Sequence, residues 1–430
     1  MINTARALFA ADGCREEGAA RLIAFAEDAA LDDRARVQAA RALIEVDEYR
    51  AEGAARLIDL AEDAALDDWV RVQAVHDLAM ADGHHNDGAA RLIAFAEDAA
   101  LNVLARVEAA QELVRVHGYR EDAVTRLIAF ADDAALEARA RVRAADILAR
   151  VRGRQSDGAL RLIAFAEDAT LEARARVQAA QDLVWSRERR DDGAAQLACL
   201  ADETALDEHC RVLAAEALAK VVGYQDEGFV RLIAFADDAA LDAEVRVQAA
   251  WALSWVGGHQ NDGDARLIAF ADDAALDVRA RVQAARHLTI LGYQEGAARL
   301  TALAEDTTLS GAARICAAQA LTSIDKYWKA AADRLSALAD DPSLDDLDRV
   351  QAAQNLTTLA EGDDTAQHTT FADNLVVGDG TRVRAADTVA AAGYQEDGAD
   401  WLTKFAEDPA LDDQARVQAI RALQAFRDRR

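Results

Sequence analysis

Proline is almost missing from this chain, with two residues in 430, and no stretch shows the period-two alternation of a half-buried strand. A β-rich fold is therefore excluded, and helices are free to run. No segment approaches the roughly 18 to 20 uninterrupted apolar residues of a membrane span. The opening MINTARALFAADG lacks a basic segment ahead of an apolar core, so no secretory signal is expected and a cytoplasmic setting follows. Basic charge is scarce as well: 48 Lys and Arg stand against 77 Asp and Glu, a net of −29, which argues against a surface that wraps nucleic acid. The four cysteines (Cys14, Cys199, Cys210, Cys316) include no CxxC spacing, which excludes a disulfide framework and a zinc site. The eight histidines are scattered, with no HExxH, and no GxxxxGK[ST] loop is present, so neither a zinc hydrolase nor a built-in nucleotide engine is expected. His84 and His85 fall in a polar turn, and the NDG turns at Asn86 and Asn261 lack the alternating oxygens of a calcium loop. No catalytic residue, metal or cofactor is expected.

What is present is repetition. RLIAFAEDAALDDRARVQAARAL, Arg21 to Leu43, returns in recognisable form eleven more times. The Leu of its first half and the Val of its second lie fifteen residues apart at Leu22/Val37, Leu57/Val72, Leu92/Val107 and onward to Leu402/Val417. Insertions and deletions fall elsewhere, so a rigid two-part unit is joined to its neighbour by a tolerant loop. The period of about 35 residues is that of two-helix solenoids. Residues Met1 to Phe9 align with Arg36 to Ile44, which predicts an extra N-terminal helix with an apolar face through Ile2, Ala5 and Leu8. Self-association through that end is the corresponding expectation. The position after the opening Leu is Ile in most units up to about residue 290 and Thr or Ser afterwards, at Thr301, Ser336, Thr369 and Thr403. This divides the array into a regular part, 1–290, and a divergent continuation, 291–430, with a worn unit near 360–382.

Within each unit the apolar positions describe two amphipathic helices. In Gly53 to Ala65, for example, Leu57, Ile58, Leu60, Ala61, Ala64 and Ala65 share one arc. Acids before the Gly-Ala-Ala start (Asp87, Asp157, Asp192, Asp262) are expected to cap the first helix, and Asp67 and its equivalents the second. Gly in the GY turns, at Gly118, Gly223, Gly292 and Gly393, suits a left-handed helix terminus.

The second helix carries (A/V)RVxAAxxL, as at Val70-Arg71 with Ala74 and Leu78, and Val245-Arg246 with Ala249 and Leu253. This resembles the HEAT-repeat pattern; a tetratricopeptide unit is the next most similar, through HGYREDA. The resemblance covers nearly the whole chain and implies an all-α, right-handed α-solenoid of about twelve two-helix repeats, with second helices lining a concave surface. It also bears on the repeated arginine (Arg36, Arg71, Arg106, Arg141, Arg176, Arg211, Arg246, Arg281), which points into the buried arc. A buried guanidinium needs a carboxylate, so a ladder to the equally periodic acids (Asp28, Asp63, Asp98, Asp133, Asp168, Asp238, Asp273, Asp306, Asp341) is expected.

The residues four and eight after the Val project away from the buried arc, and they are the ones that vary: His76/Met80, Gln111/Arg115, Asp146/Arg150, Gln181/Trp185, Glu216/Lys220, Trp251/Trp255, Arg286/Ile290. Exposed aromatics beside Arg and Lys have the composition of a binding hot spot. The candidate groove is therefore His76, Met80, Arg115, Arg150, Trp185, Lys220, Trp251, Trp255 and Arg286. A non-catalytic scaffold is expected, with a protein or peptide partner carrying basic and apolar side chains, and no nucleic acid or membrane. Two alternatives remain: the recognition arm of a signalling ATPase system, or a HEAT-like small-molecule lyase or sequestering protein.

Overall fold

The structure, a computed structural model, describes residues 15–186, 188–322 and 325–344, with isolated positions at 348, 349, 351, 352, 355 and 421. The expected N-terminal helix, the worn unit, Gly393 and Thr403 lie outside these. The described residues form nineteen α-helices and no strand, stacked as successive two-helix repeats. They are α1 (Arg15–Glu27), α2 (Asp33–Ile44), α3 (Arg50–Glu62), α4 (Asp68–Met80), α5 (His85–Glu97), α6 (Val103–Arg115), α7 (Arg120–Asp132), α8 (Ala138–Arg150), α9 (Gln155–Glu167), α10 (Ala173–Val184), α11 (Arg190–Asp202) and α12 (Glu208–Ala219). There follow α13 (Gln225–Asp237), α14 (Ala243–Leu253), α15 (Gln260–Asp272), α16 (Val278–Ile290), α17 (Gln294–Glu305), α18 (Gly311–Thr322) and α19 (Trp328–Asp340). Odd numbers are first helices of a repeat and even numbers second helices.

The chain divides into two units, Met1–Val221 and Val222–Arg430. This division does not coincide with the change of composition near residue 290. Within each unit the second helices of successive repeats pack on one another more extensively than the first helices do. The second helices thus form the more closely packed side of each stack. The core is built from the repeat's own Leu, Val and Ala: Leu22, Leu43, Leu57 and Leu78 are fully buried, and so are their counterparts through Leu335. Each buried Leu contributes roughly 1.5 to 3 kcal/mol.

Second helices begin as expected where the cap is Asp or Asn, while Glu137 and Glu172 make no side-chain cap bond. Asp32, Asp67, Asn102, Asp207, Asp242 and Asp277 are N-caps whose side chains accept backbone N–H groups of the first turn. First helices do not. Each starts directly after the turn, with Tyr49, His84, Tyr119, Arg154, Arg189, Tyr224 or His259 in the cap position making no side-chain cap bond. Asp87, Asp157, Asp192 and Asp262 therefore sit inside the first turn, where they meet the positive end of the helix dipole. The turn itself matches the reading, since Gly118, Gly223 and Gly292 have φ of 91°, 94° and 92°, a region L-residues avoid. The helical glycine of the Gly-Ala-Ala start has another purpose. A Cβ on Gly158 would lie 2.2 Å from Ala149 N, and one on Gly88 2.3 Å from Ala79 Cα, so glycine lets each first helix approach the preceding second helix backbone to backbone.

The arginine ladder is corrected by the structure. The RVQAA arginines donate Nε to the carbonyl of the Ala ten residues earlier, from Arg36 to Ala26 through Arg349 to Ala339, at 3.0–3.5 Å. They close the C-terminal end of the first helix of their own repeat. The expected acids mostly turn elsewhere: Asp28, Asp63, Asp98, Asp133, Asp168, Asp238, Asp273, Asp306 and Asp341 accept the backbone N–H two residues on, at 2.9–3.0 Å. The guanidinium meets the next repeat through an aromatic ring instead: Arg71, Arg106, Arg141 and Arg246 lie over Phe95, Phe130, Phe165 and Phe270 at 4.9–5.2 Å. Where Leu200 and Leu338 replace that Phe, a carboxylate takes over. Arg176 pairs with Glu203 through two bonds of 3.0 and 2.8 Å, and Arg314 with Asp341 at 3.0 Å. Arg36, which faces Leu60, instead pairs with Asp33 of its own helix at 3.3 Å.

A ladder between repeats does exist, carried by the other periodic arginine, the one before the first-helix Leu. Arg56, Arg91, Arg126, Arg161, Arg266, Arg299 and Arg334 each pair with the acid closing the preceding first helix, namely Glu27, Glu62, Glu97, Asp132, Asp237, Asp272 and Glu305. Three of these pairs, at Asp132, Asp237 and Asp272, are two-pronged with distances of 2.6–2.8 Å. Their carboxyls are held below the usual range by hydrogen bonds from Arg161, Arg266 and Arg299. The pairs are partly exposed, so each is worth about 1 kcal/mol or less.

Candidate binding face

The variable positions lie on the second helices of each unit. In the first unit the residues eight after the Val are exposed: Met80, Arg115, Arg150, Trp185 and Lys220. Trp185 is the most open of the large apolar side chains at 79%. Beneath them runs a row of carboxylates, Asp77, Glu112, Asp146 and Asp182, on α4, α6, α8 and α10; the sequence reading named only Asp146, because the other three stand five after the Val and not four. The first three are buried, Asp146 to 2% exposure, and Asp182 is half-buried. Ionised carboxylates placed so need partners.

Most have them. Asp77 lies 3.6 Å from Arg41 of the preceding repeat and accepts Gln73 at 3.0 Å. His76 Nδ1 is 2.7 Å from Glu112 of the next repeat, close but not aligned as a hydrogen bond, and Arg115 donates to the same carboxylate at 2.8 Å. Asp146 holds Arg150 at 2.7 Å and Arg143 at 3.2 Å. Burial pushes Asp77 and Asp146 above the ordinary carboxylate range against the pull of these cations. At Glu112 burial acts the same way, but His76, Gln111 and Arg115 more than offset it and leave the group lowered. Asp182 differs: burial and the neighbouring Asp146 push it up to about 7, and its hydrogen bond comes from Gln178 at 2.9 Å.

Two clefts open along this row. One, of about 400 Å³, is lined by Asp146, Ala149, Arg150, Asp182, Trp185 and Ser186. The other, of about 370 Å³, includes Arg41, His76, Asp77 and Met80. Both fall near the lower end of the range for ligand pockets, roughly 300 to 1,000 Å³.

In the second unit the corresponding face is aromatic. Trp251 stacks on His287 at 4.2 Å and 23°, and meets Trp255 edge-on at 5.3 Å and 82°. Trp255 and Ile290 are exposed, as is Arg286. Burial, with a contribution from Arg286, lowers His287 to about 4, so the ring is neutral at physiological pH. Trp185 belongs to the first unit and Trp251 and Trp255 to the second; the three do not form one cluster within a unit. Trp69 and Trp328 lie at the starts of α4 and α19, partly exposed and off the stripe. Burial and Asp207 push the Cys210 thiol up to about 11, which leaves it unreactive. Among the described residues no group of three metal-ligating side chains converges, and no helix is long and apolar enough to cross a membrane.

No protein-family model matches the chain, and no curated protein matches it. Among solved structures it is similar to the UNC-45 chaperone, in a structure concerned with molecular features critical for binding and folding muscle myosin, at 14% identity and a TM-score of 0.35, over 96% of this chain and 62% of that one. It is similar also to an engineered protein, at 18% identity and a TM-score of 0.29, over 99% and 98% of the two chains. A mutant of Kap121p matches at 13% identity and a TM-score of 0.36, over 100% of this chain and 56% of that one. The chain thus spans less than two thirds of the UNC-45 and Kap121p chains.

Proposed function

We propose that the chain is a non-catalytic scaffold whose second-helix face binds a protein or peptide partner. The observation that carries this is the exposure of large apolar and cationic side chains, Met80, Arg115, Arg150 and Trp185 in one unit and Trp255 and Ile290 in the other, on a rigid, regularly packed support. Aromatic and Arg anchors held by helices bind with little loss of side-chain freedom. The partner presents basic and apolar side chains to this acidic protein, and its affinity falls with added salt. The test is quantitative capture of one identified partner. Substituting Trp251 and Trp255 together with Ala lowers its affinity by at least about 30-fold, the equivalent of ~2 kcal/mol, whereas exposed Gln319→Ala leaves it within twofold. Loss with Gln319→Ala and none with the Trp pair moves the site off the stripe and overturns the assignment.

A further inference from the structure

The row of carboxylates in the first unit follows a rule that breaks once. The residue four after the Val in one repeat faces the acid five after the Val in the next. Arg41 faces Asp77 and His76 faces Glu112, so a base is set against each acid. At the following step of this kind the base is replaced by Asp146, which faces Asp182 and raises its proton affinity. A second source of charge is the residue eight after the Val, which places Arg115 on Glu112 and Arg150 on Asp146. In the repeat of Asp182 that position is Trp185. Arg143, one after the Val, is a third source, on Asp146, and in the repeat of Asp182 that position is Gln178; each place from which a cation serves this row is thus occupied by something else. Among the described residues no cation forms an ion pair with Asp182.

The vacancy coincides with the cleft of about 400 Å³, whose walls are Asp146, Asp182, the exposed ring of Trp185 and the stem of Arg150. Two carboxylates are too few for a metal cage. They suit an ammonium or guanidinium carried on a long apolar stem, because the charge replaces the missing partner of Asp182 while the stem or the flat guanidinium lies on the indole. We propose that this cleft seats one basic side chain, Arg or Lys, of the protein partner, with Asp182 as its counterion and Trp185 as its stacking surface. This rests on the scaffold reading above and adds the partner's anchoring residue. The net of −29 draws such a partner in, but the specificity comes from the local gap in the charge pattern.

The test uses the full chain and the probe peptide acetyl-Gly-Arg-Gly-amide, with its Lys and citrulline counterparts. The indole N–H resonance of Trp185, assigned by its disappearance in Trp185→Phe, reports binding. The Arg and Lys peptides shift this resonance with millimolar dissociation constants, and the citrulline peptide, which keeps the shape and loses the charge, binds at least tenfold more weakly. Asp182→Asn weakens the Arg peptide about tenfold, while Gln319→Ala, at an exposed position, leaves it unchanged. Equal binding of citrulline, no effect of Asp182→Asn, or a shift produced by magnesium or calcium chloride but not by the peptides overturns the proposal. A scaffold whose captured partner still depends on Trp251 and Trp255 would survive that result, so the two readings fail separately.

Discussion

Gly158→Ala sets helix propensity against tertiary packing, and the two predict opposite signs. Gly158 lies in the first turn of α9, and replacing a helical Gly by Ala normally gains about 1 kcal/mol. Here the new methyl would stand 2.2 Å from Ala149 N, 2.6 Å from Ala149 Cα and 2.6 Å from Ala145 O. Carbon contacts are comfortable near 3.5 to 4.0 Å, so α8 and α9 must separate by about an ångström. The obstacles are backbone atoms, which no rotamer change removes. Overpacking costs typically about 1–3 kcal/mol, with the upper end fitting a clash against main chain; after the propensity gain a net loss of about 2 kcal/mol is expected. The effect should stay local, because each repeat contacts only its neighbours. Hydrogen exchange should show lost protection over residues 138–167 with distant repeats unchanged, accompanied by a lower urea midpoint. Ala123, buried at the same register in α7, shows that a stack can be built around a methyl when the neighbouring helices suit it. Stabilisation by about 1 kcal/mol would show that α8 and α9 part freely and would refute the reasoning.

Arg176→Ala should cost about 1–3 kcal/mol, since Arg176 is 6% exposed and its loss leaves the Ala166 carbonyl without its donor and the partly exposed Glu203 without its pair; Arg161→Ala should cost about 1 kcal/mol or less and lose its effect in high salt. Equal losses in the two urea titrations would erase the distinction between the inner staple and the outer ladder. Asp182→Asn should be stabilising in a pH-dependent way. The native carboxyl, raised to about 7 from 3.8, holds a proton that the unfolded chain has released, so wild-type stability falls as pH rises from about 4 to 7. The full shift corresponds to about 4 kcal/mol, and partial solvent access reduces it to roughly 1–2 kcal/mol. The variant should therefore match wild type near pH 4 and exceed it at pH 8. A gain of equal size at both pH values would count against an ionised Asp182 as its source.

The helical class, the two-helix unit and most of each buried face were legible in the sequence because they follow from local rules, although Ala64 and Ala65, read into the arc of Leu57, lie beyond α3 and are exposed. The fifteen-residue spacing of Leu22 and Val37 and their counterparts, the caps at Asp32 and Asp67, and Gly118 in its left-handed turn need only the chain's own neighbourhood. Periodicity also singled out the right kinds of residue for a ladder, since both arginines of the unit repeat and so do its acids. It could not say which arginine meets which acid. That choice depends on the offset between stacked repeats, which sets Arg161 against Asp132 across two first helices while Arg141 reaches the carbonyl of Ala131 and the ring of Phe165. Gly158 carries the same lesson: its spacing suggests a helix start, and only the approach of α8 shows it to be a contact point. The stripe at Met80, Arg115, Arg150 and Trp185 was readable as a variable face. The carboxylates beneath it, and the missing cation at Asp182, emerge only when successive second helices are laid side by side, because electrostatic pairing acts through space and not along the chain.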